Sequence, residues 1–136
     1  MSRLCFGVLA GLALAAVLAG CGGEKKSGPA KADQSSPKAL AESIFAAARS
    51  GELGALEGIA APTDSDGDAR DVAGVAKADA AKQESFKSFF AKGKVDGEVK
   101  VEGERAEVPI LFGPDGTKKE TFNMVKVAGL WYLQSF

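Results

Sequence analysis

The sequence predicts an α+β domain in which N-terminal helices pack on a four-stranded antiparallel sheet. Between residues 37 and 92, apolar side chains recur at the spacing of helix faces. From residue 95 to residue 136, apolar and polar residues alternate in runs separated by glycine-containing turns. Runs joined by short turns pair as antiparallel neighbours, so the second half of the chain is expected to form a meander against the helices.

The composition excludes several function classes. The 136 residues suffice for one domain at most, and the formal net charge of −1 gives no sign of the basic surface that nucleic-acid binding requires. Histidine is absent, which excludes triads of the Ser-His-Asp or Cys-His kind and zinc sites that depend on histidine. The sequence predicts no metal site and no cofactor.

The first 20 residues have the pattern of a signal peptide. Arg3 precedes an uncharged, mostly apolar run of 16 residues, from Leu4 to Ala19. A membrane-spanning helix needs about 20 apolar residues, so this run is short for a span and typical of a signal-peptide core. We therefore assign residues 1–20 to a lipoprotein-type signal peptide, on the motif described next.

The motif Leu18-Ala19-Gly20-Cys21 resembles the lipobox of bacterial lipoproteins. The resemblance implies that the Cys21 thiol receives a diacylglyceryl group and that the peptide is cut just before it. Cys5 would leave with the signal peptide. Gly22 stands where inner-membrane lipoproteins commonly carry aspartate, which implies an outer-membrane anchor facing the periplasm. An ordinary cleaved signal or an uncleaved anchor is the alternative, and either leaves Cys21 without a role.

Residues 21–36 are predicted to form the lipidated cysteine and a flexible tether. After Cys21 this segment consists of small and polar residues, with no large apolar side chain. A chain of this length spans roughly 20 Å on average and at most about 50 Å when extended. Lys25, Lys26 and Lys31 could contact anionic headgroups, although a plain solubilising spacer explains them as well.

The helical half begins at Ser36 and Pro37, because serine is a favoured N-cap and proline a favoured first helical residue. Gly51 ends this first helix, and a second short helix is predicted over residues 52–60. The residues that define the apolar faces of the two helices are Leu40, Ile44, Ala47, Ala48, Leu53, Leu56 and Ile59. Residues 61–74, rich in acids, are predicted to be a loop.

A third helix is predicted over residues 77–92, with Gly93 as its stop. Phe86, Phe89 and Phe90 form an aromatic stripe near its C-terminal end. We interpret this stripe as core, with a lipid or partner contact as the alternative.

The sheet is predicted from four runs, at residues 95–102, 106–112, 117–127 and 130–136. The turns between them are Gly103-Glu104, Gly113-Pro114-Asp115-Gly116 and Ala128-Gly129. Two features conflict with a regular meander. Pro109 lacks an N–H and so indicates an edge strand or a bulge. Apolar residues occupy both faces of the third run, since Phe122 and Met124 alternate with Val125 and Val127, which predicts a sheet buried on both faces or a bulge.

This order of elements resembles the nuclear transport factor 2-like fold, and more narrowly small bacterial lipoproteins of unknown function with that fold. The residues that carry the resemblance are Pro37 to Leu56, Gly103 to Val108, Gly113 to Gly116 and Val127 to Leu133. It covers about residues 37–136 and implies a curved, cone-like sheet. Ala128 departs from the family pattern, which usually has a charged residue before the last turn glycine.

Cones of this kind often enclose a pocket between the sheet and the helices. The residues predicted to line it are Phe112, Phe122, Met124, Trp131, Tyr132 and Leu133, although aromatic residues in such positions more often simply fill the core. The related ketosteroid isomerases use a buried acid and a tyrosine there. Tyr132 has no such acid on the predicted inward face, because Glu98, Glu102 and Glu107 occupy the polar, outward-facing positions of their predicted strands. We therefore predict no enzyme activity and no catalytic residues.

The stretch Asp64 to Asp68 places carboxylates at positions one, three and five, as in the opening of a calcium-binding loop. A complete loop needs glycine at position six and glutamate at position twelve, and this chain has Ala69 and Val75 there. The stretch is thus predicted to be a polar loop, with weak calcium binding by its three carboxylates and Asp71 as the alternative.

Two function classes remain. The first is a membrane-anchored, non-catalytic binding or interaction module of the cell envelope, with membrane lipid as partner through acylated Cys21 and an envelope protein as a possible second partner. The alternative is a binder of a small apolar ligand in the cone pocket. The pattern decides neither between a monomer and a homodimer nor which ligand is bound, and fold alone does not supply function.

Overall fold

A computed structural model describes residues 31–136. The predicted signal peptide (residues 1–20), the lipidated Cys21 and the tether up to residue 30 lie outside the described residues. The α-helices are α1 (Pro37–Ser50), α2 (Gly67–Ala73) and α3 (Ala80–Phe90), and 3₁₀ turns cover Leu53–Leu56 and Val75–Lys77. The strands are β1 (Lys94–Val95), β2 (Lys100–Glu102), β3 (Arg105–Phe112), β4 (Lys118–Val127) and β5 (Leu130–Ser135). The α+β class is confirmed.

Helix α1 has the ends that the sequence predicts. The Ser36 hydroxyl accepts a hydrogen bond from the Ala39 N–H at 3.1 Å, and Pro37 is the first helical residue. At the other end, the Gly51 N–H donates to the Ala47 carbonyl at 2.8 Å with φ of 79° at the glycine. The apolar face is buried as predicted.

The predicted second helix over residues 52–60 is wrong in extent, because only the 3₁₀ turn at Leu53–Leu56 forms. The following residues are extended and run alongside β5: the Leu133 N–H donates to the Ile59 carbonyl at 2.7 Å, and the Ala61 N–H donates to the Leu133 carbonyl at 2.8 Å. This pairing gives partners to backbone groups on the β5 edge that a further helical turn would leave unsatisfied.

The predicted loop over residues 61–74 contains helix α2, which corrects the sequence interpretation. Asp66 caps this helix, since its Oδ1 accepts a hydrogen bond from the Ala69 N–H at 2.8 Å. Ala69 and Val72 are buried. The many acids of this stretch suggested a loop, but aspartate is among the favoured N-cap residues, and a short helix needs only one apolar contact face.

Helix α3 is shorter than the predicted range of residues 77–92 and begins after Asp79, whose carboxylate accepts from the Lys82 N–H at 2.8 Å. Phe86 and Phe90 are buried, as predicted for the aromatic stripe. Phe89 is 41% exposed, so the prediction is wrong for this ring. It lies at the margin of the buried face, with its centroid 6.5 Å from that of Phe112.

The sheet has five strands rather than the four predicted, in the order β1-β3-β4-β5, with β2 also beside β3 and every pair antiparallel. The predicted first strand, residues 95–102, is divided into β1 and β2 opposite Pro109. The Pro109 carbonyl accepts from the Asp96 N–H at 2.8 Å, but proline has no N–H to return. The chain bulges there at Gly97, where φ is 116°. Thus the irregularity expected at Pro109 is a bulge in its neighbour.

The second irregularity lies between β4 and β5. Asn123 pairs with Ser135 and Met124 with Leu133, so Gln134 is one extra residue in β5. The bulge is therefore in β5, not between Met124 and Val125 of β4 as one predicted alternative stated, and β4 alternates regularly at this point. Phe122 and Met124 point into the core, whereas Val127 on the opposite face is 37% exposed.

The last part of the predicted tether lies against the domain. The Gln34 carbonyl accepts from the Trp131 N–H at 2.9 Å, and the Gln34 side-chain amide donates to the Trp131 carbonyl at 2.8 Å. The Ala32 N–H donates to the Ala55 carbonyl at 2.9 Å. Gln34 thus lies on the outer edge of β5, and Ala32 lies beside the 3₁₀ turn Leu53–Leu56. Within the described part of the chain, no helix is long and apolar enough to cross a membrane.

Candidate functional site

The six residues predicted to line a pocket separate into two groups. Tyr132 is half-buried, on the sheet face opposite the core. The other five are buried against the helices and form part of the core: Phe112, Phe122, Met124, Trp131 and Leu133. The sequence correctly predicts that these five share one face, and Tyr132 is the exception because its strand alternates.

An aromatic cluster occupies the space between sheet and helices. Phe45 of α1 stacks on Phe122 with centroids 5.8 Å apart, and Phe90 of α3 stacks on Phe112 at 5.3 Å. Phe136 contacts Phe122 edge-on at 5.3 Å. Pairs of this geometry each contribute about 0.5–1.5 kcal/mol beyond the area they bury. The centre that the sequence offered as a possible ligand pocket is therefore filled by the protein's own rings.

An open groove lies at the edge of this cluster, between helix α2 with its following 3₁₀ turn and helix α3. Its volume is about 430 Å³. The apolar side chains that line it are Val72, Val75, Ala78, Phe86, Phe90 and Phe136. Phe90 and Phe136 belong to the aromatic cluster, so the groove exposes one border of the core to solvent. None of the six predicted pocket residues lines it.

Capping and side-chain hydrogen bonds hold the walls of the groove in place. Asp66 and Asp79 cap the two helices, and the Asp66 N–H also donates to the Gln134 carbonyl of β5 at 2.9 Å. Gln83 of α3 donates through Nε2 to the carbonyls of Ala76 and Ala78, at 3.0 and 3.1 Å. These bonds tie the Val75–Lys77 turn to α3, so the groove is built into the fold.

The rim of the groove carries charges of both signs. The charged and hydroxyl side chains along it are Asp68, Arg70, Asp71, Lys77, Lys82 and Ser85. Lys77 forms an ion pair with Glu57, which lowers the pKa of the Glu57 carboxyl and raises that of the Lys77 ammonium, chiefly through their hydrogen bond. Both groups are exposed, so the pair adds little to stability. Among the described residues, Arg70 and Lys82 have no ion-pair partner within 4.0 Å.

The floor of the groove is suited to binding by apolar contact. Its six apolar side chains carry no acid, base or nucleophile, and in the described part of the chain no polar or charged residue is buried. Glu98, between β1 and β2, is exposed, as are Glu102 of β2 and Glu107 of β3. The predicted inward position of Val101 is wrong, because this side chain is 52% exposed. The arrangement can therefore bury an apolar group of a ligand and orient it by contacts with the charged rim.

The acidic stretch from Asp64 to Asp68 has a structural role at one position. Asp66 is the N-cap of α2, and Asp64 adopts a left-handed conformation with φ of 59°. Residues 31–136 contain no group of three or more acidic or cysteine side chains placed to hold a metal ion.

Sequence reasoning missed the groove because the pattern of residues 61–79 predicts mostly a loop and the start of a helix. The available signal was a pair of aspartate N-caps, Asp66 and Asp79, on either side of the buried Val72 and Val75. Comparison of the chain with protein-family models, curated proteins and solved structures finds no match.

Proposed function

We propose that this chain is a lipid-anchored, non-catalytic binding module of the bacterial cell envelope, and that the groove between α2 and α3 holds the apolar part of a small ligand. The anchor is supported by the lipobox-like motif ending in Cys21 after a signal-peptide core. The nuclear transport factor 2-like cone belongs to this proposal as well, supported by the order of helices before an antiparallel sheet.

The observation that carries the binding function is an open groove with an apolar lining at the border of the core. Ligand sites commonly have volumes of about 300–1,000 Å³, apolar walls and a few polar groups that set orientation. The groove, at about 430 Å³, falls in this range. Its valines and phenylalanines are themselves mostly buried, and each Å² of apolar lining that a ligand covers contributes roughly 25 cal/mol, so the groove favours an apolar occupant. The filled aromatic centre favours this site over the cone interior.

Blocking the groove is expected to abolish binding of an apolar probe. Ser85 lines the groove and is exposed, so Ser85→Trp places an indole in it without disturbing the core. With residues 22–136, we expect saturable fluorescence enhancement of anilinonaphthalene sulfonate, and at least about tenfold weaker binding in the variant.

Ser88→Trp is the matched control, since Ser88 is exposed on the same helix and does not line the groove. It is expected to bind the probe as the unmodified chain does. Unchanged binding by Ser85→Trp would contradict the assignment of this groove.

The anchor is tested by labelling with radioactive palmitate in cells. Cys21→Ser is expected to remove the label completely and leave the signal peptide uncleaved by the lipoprotein peptidase, because the thiol is the group that takes the lipid. Cys5→Ser is the control and should label normally, since Cys5 lies within the predicted signal peptide. Continued labelling of Cys21→Ser would refute the lipoprotein assignment.

A further inference from the structure

One end of the domain, where α3 ends and β3 turns into β4, surrounds an exposed aromatic ring with lysines. The Gly113 N–H of the turn donates to the Phe89 carbonyl at 2.7 Å, which joins the end of α3 to this turn. The Lys118 Nζ lies 4.9 Å from the centre of the Phe112 ring. That ring in turn is 6.5 Å from the ring of Phe89.

Three further lysines lie at this end. The Lys92 backbone is packed against the turn, since a Cβ on Gly116 would come within 2.7 Å of the Lys92 carbonyl. Lys94 pairs with Leu111 across β1 and β3, and Leu111 pairs with Lys119 across β3 and β4. We define the basic end as Phe89, Lys92, Lys94, Lys118 and Lys119, all of which are exposed.

The basic end is positive although the whole chain has a formal net charge of −1. The carboxylates next to these lysines along the chain are those of the exposed Asp96 and Asp115 and of the half-buried Glu120, three against four lysines. Lys87, one helical turn before the end of α3, is already paired with Glu84. The excess of lysines therefore remains available to an anionic surface.

The course of the chain places this end near the predicted anchor. Lys31, the first described residue, lines a shallow depression with Ser50 at the end of α1. Next to it, the Arg49 guanidinium donates at 3.4 Å to the carbonyl of Gly93, which lies between Lys92 and Lys94. The point where the tether leaves the domain and the basic end thus flank the same end of α1.

The tether is long enough to let the basic end face the membrane. From Cys21 to Lys31 the chain has ten residue steps, which span at most about 35 Å. A domain of about 100 residues has a radius of gyration near 13 Å, so the basic end, beside the end of α1 where the tether leaves the domain, lies within this reach. This step rests on the proposed anchoring at Cys21.

We propose that the basic end docks on the anionic phospholipid surface of the bilayer, with its lysines at the headgroups and the Phe89 ring in the interface. Each lysine close to an anionic surface strengthens binding by about fivefold, and aromatic rings favour the headgroup region. Docking thus moves the Phe89 ring, which the core leaves exposed, from water into the headgroup region of the bilayer.

The test measures which end of the domain lies on the membrane. The full chain, with Trp131→Phe to remove its one tryptophan, is reconstituted in phosphatidylethanolamine–phosphatidylglycerol vesicles that contain lipids brominated in the acyl chains. Phe89→Trp then reports on the basic end. Leu130→Trp is the matched control at the far end of the sheet, since the two native side chains are 41% and 43% exposed.

We expect bromolipid quenching of at least half the fluorescence for Phe89→Trp and little quenching for Leu130→Trp. Adding Lys92→Glu with Lys118→Glu, or replacing phosphatidylglycerol by phosphatidylcholine, should remove most of it. Lys100→Glu with Lys126→Glu, which changes the net charge equally, should not.

Equal quenching at both positions would overturn the docking, and so would quenching that survives Lys92→Glu with Lys118→Glu. A vesicle-bound chain whose Phe89→Trp indole stays unquenched would also overturn it, and this is the result expected if a protein partner covers the basic end. A chain that does not sediment with vesicles would overturn docking and anchoring together. If the unmodified chain takes up no palmitate label but the Phe89→Trp indole is still quenched, only the anchoring is overturned, because the quenching is measured independently of the label.

Discussion

Phe122→Ala is expected to lower the free energy of unfolding by about 3–5 kcal/mol. The Phe122 side chain is fully buried in β4, a strand paired on both sides, and it contacts Phe45, Phe90 and Phe136 through their rings. Removal of its ring leaves a cavity that both helices and sheet would have to close. Because a domain of this size is stable by only about 5–15 kcal/mol, the variant should unfold at a much lower urea concentration.

Phe89→Ala provides the control for this truncation. It removes the same number of atoms from a ring that is 41% exposed, so we expect a loss below about 1 kcal/mol. Urea unfolding followed by circular dichroism compares the two variants directly. Equal losses would show that the aromatic cluster does not form the core as described.

Gly93→Ala is expected to destabilise the domain by about 1–3 kcal/mol or more, because one methyl group has no room there. A Cβ at Gly93 would overlap Cε1 and Cδ1 of Phe45. Phe45 cannot move away easily, since it is buried and stacked on Phe122. The sequence indicates Gly93 only as a helix stop, whereas the structure requires it for close packing.

Gly67→Ala is the matched control for that substitution. Gly67 is the first residue of α2 and does not adopt a positive φ, and a Cβ added to it would meet no atom within 4 Å. Alanine there should be neutral or stabilise by up to about 1 kcal/mol. Thermal unfolding of both variants distinguishes steric overlap from a general effect of replacing glycine, and a Gly93→Ala melting temperature equal to that of the unmodified chain would contradict the packing.

The sequence predicted correctly those elements whose start, end or inward face depends only on residues next to them along the chain. Ser36 with Pro37 set the start of α1 through a cap that needs only the adjacent backbone. The turn at Gly113 to Gly116 lies between β3 and β4 as predicted. The buried alternation in β3 is likewise a property of the strand itself.

The errors occurred where a distant contact decides the local structure. Residues 59–61 leave the helical conformation because β5 offers them backbone partners. The first predicted strand divides because Pro109, on its neighbour, cannot donate a hydrogen bond. Phe89 differs from Phe86 and Phe90 only in its angle around α3, and the position of the sheet decides which rings are covered.

By itself, the sequence determined the α+β class, the start of α1, the inward face of the central strands and the absence of histidine chemistry, because these follow from composition, caps and periodicity. The lipobox-like motif at Cys21 is equally a matter of sequence, and it remains a proposal for experiment. Only the tertiary structure decided that five of the six predicted pocket residues fill the core and that an open groove with an apolar lining lies between α2 and α3. Which side chains cover which space depends on how helices and sheet meet, and no local pattern contains that information.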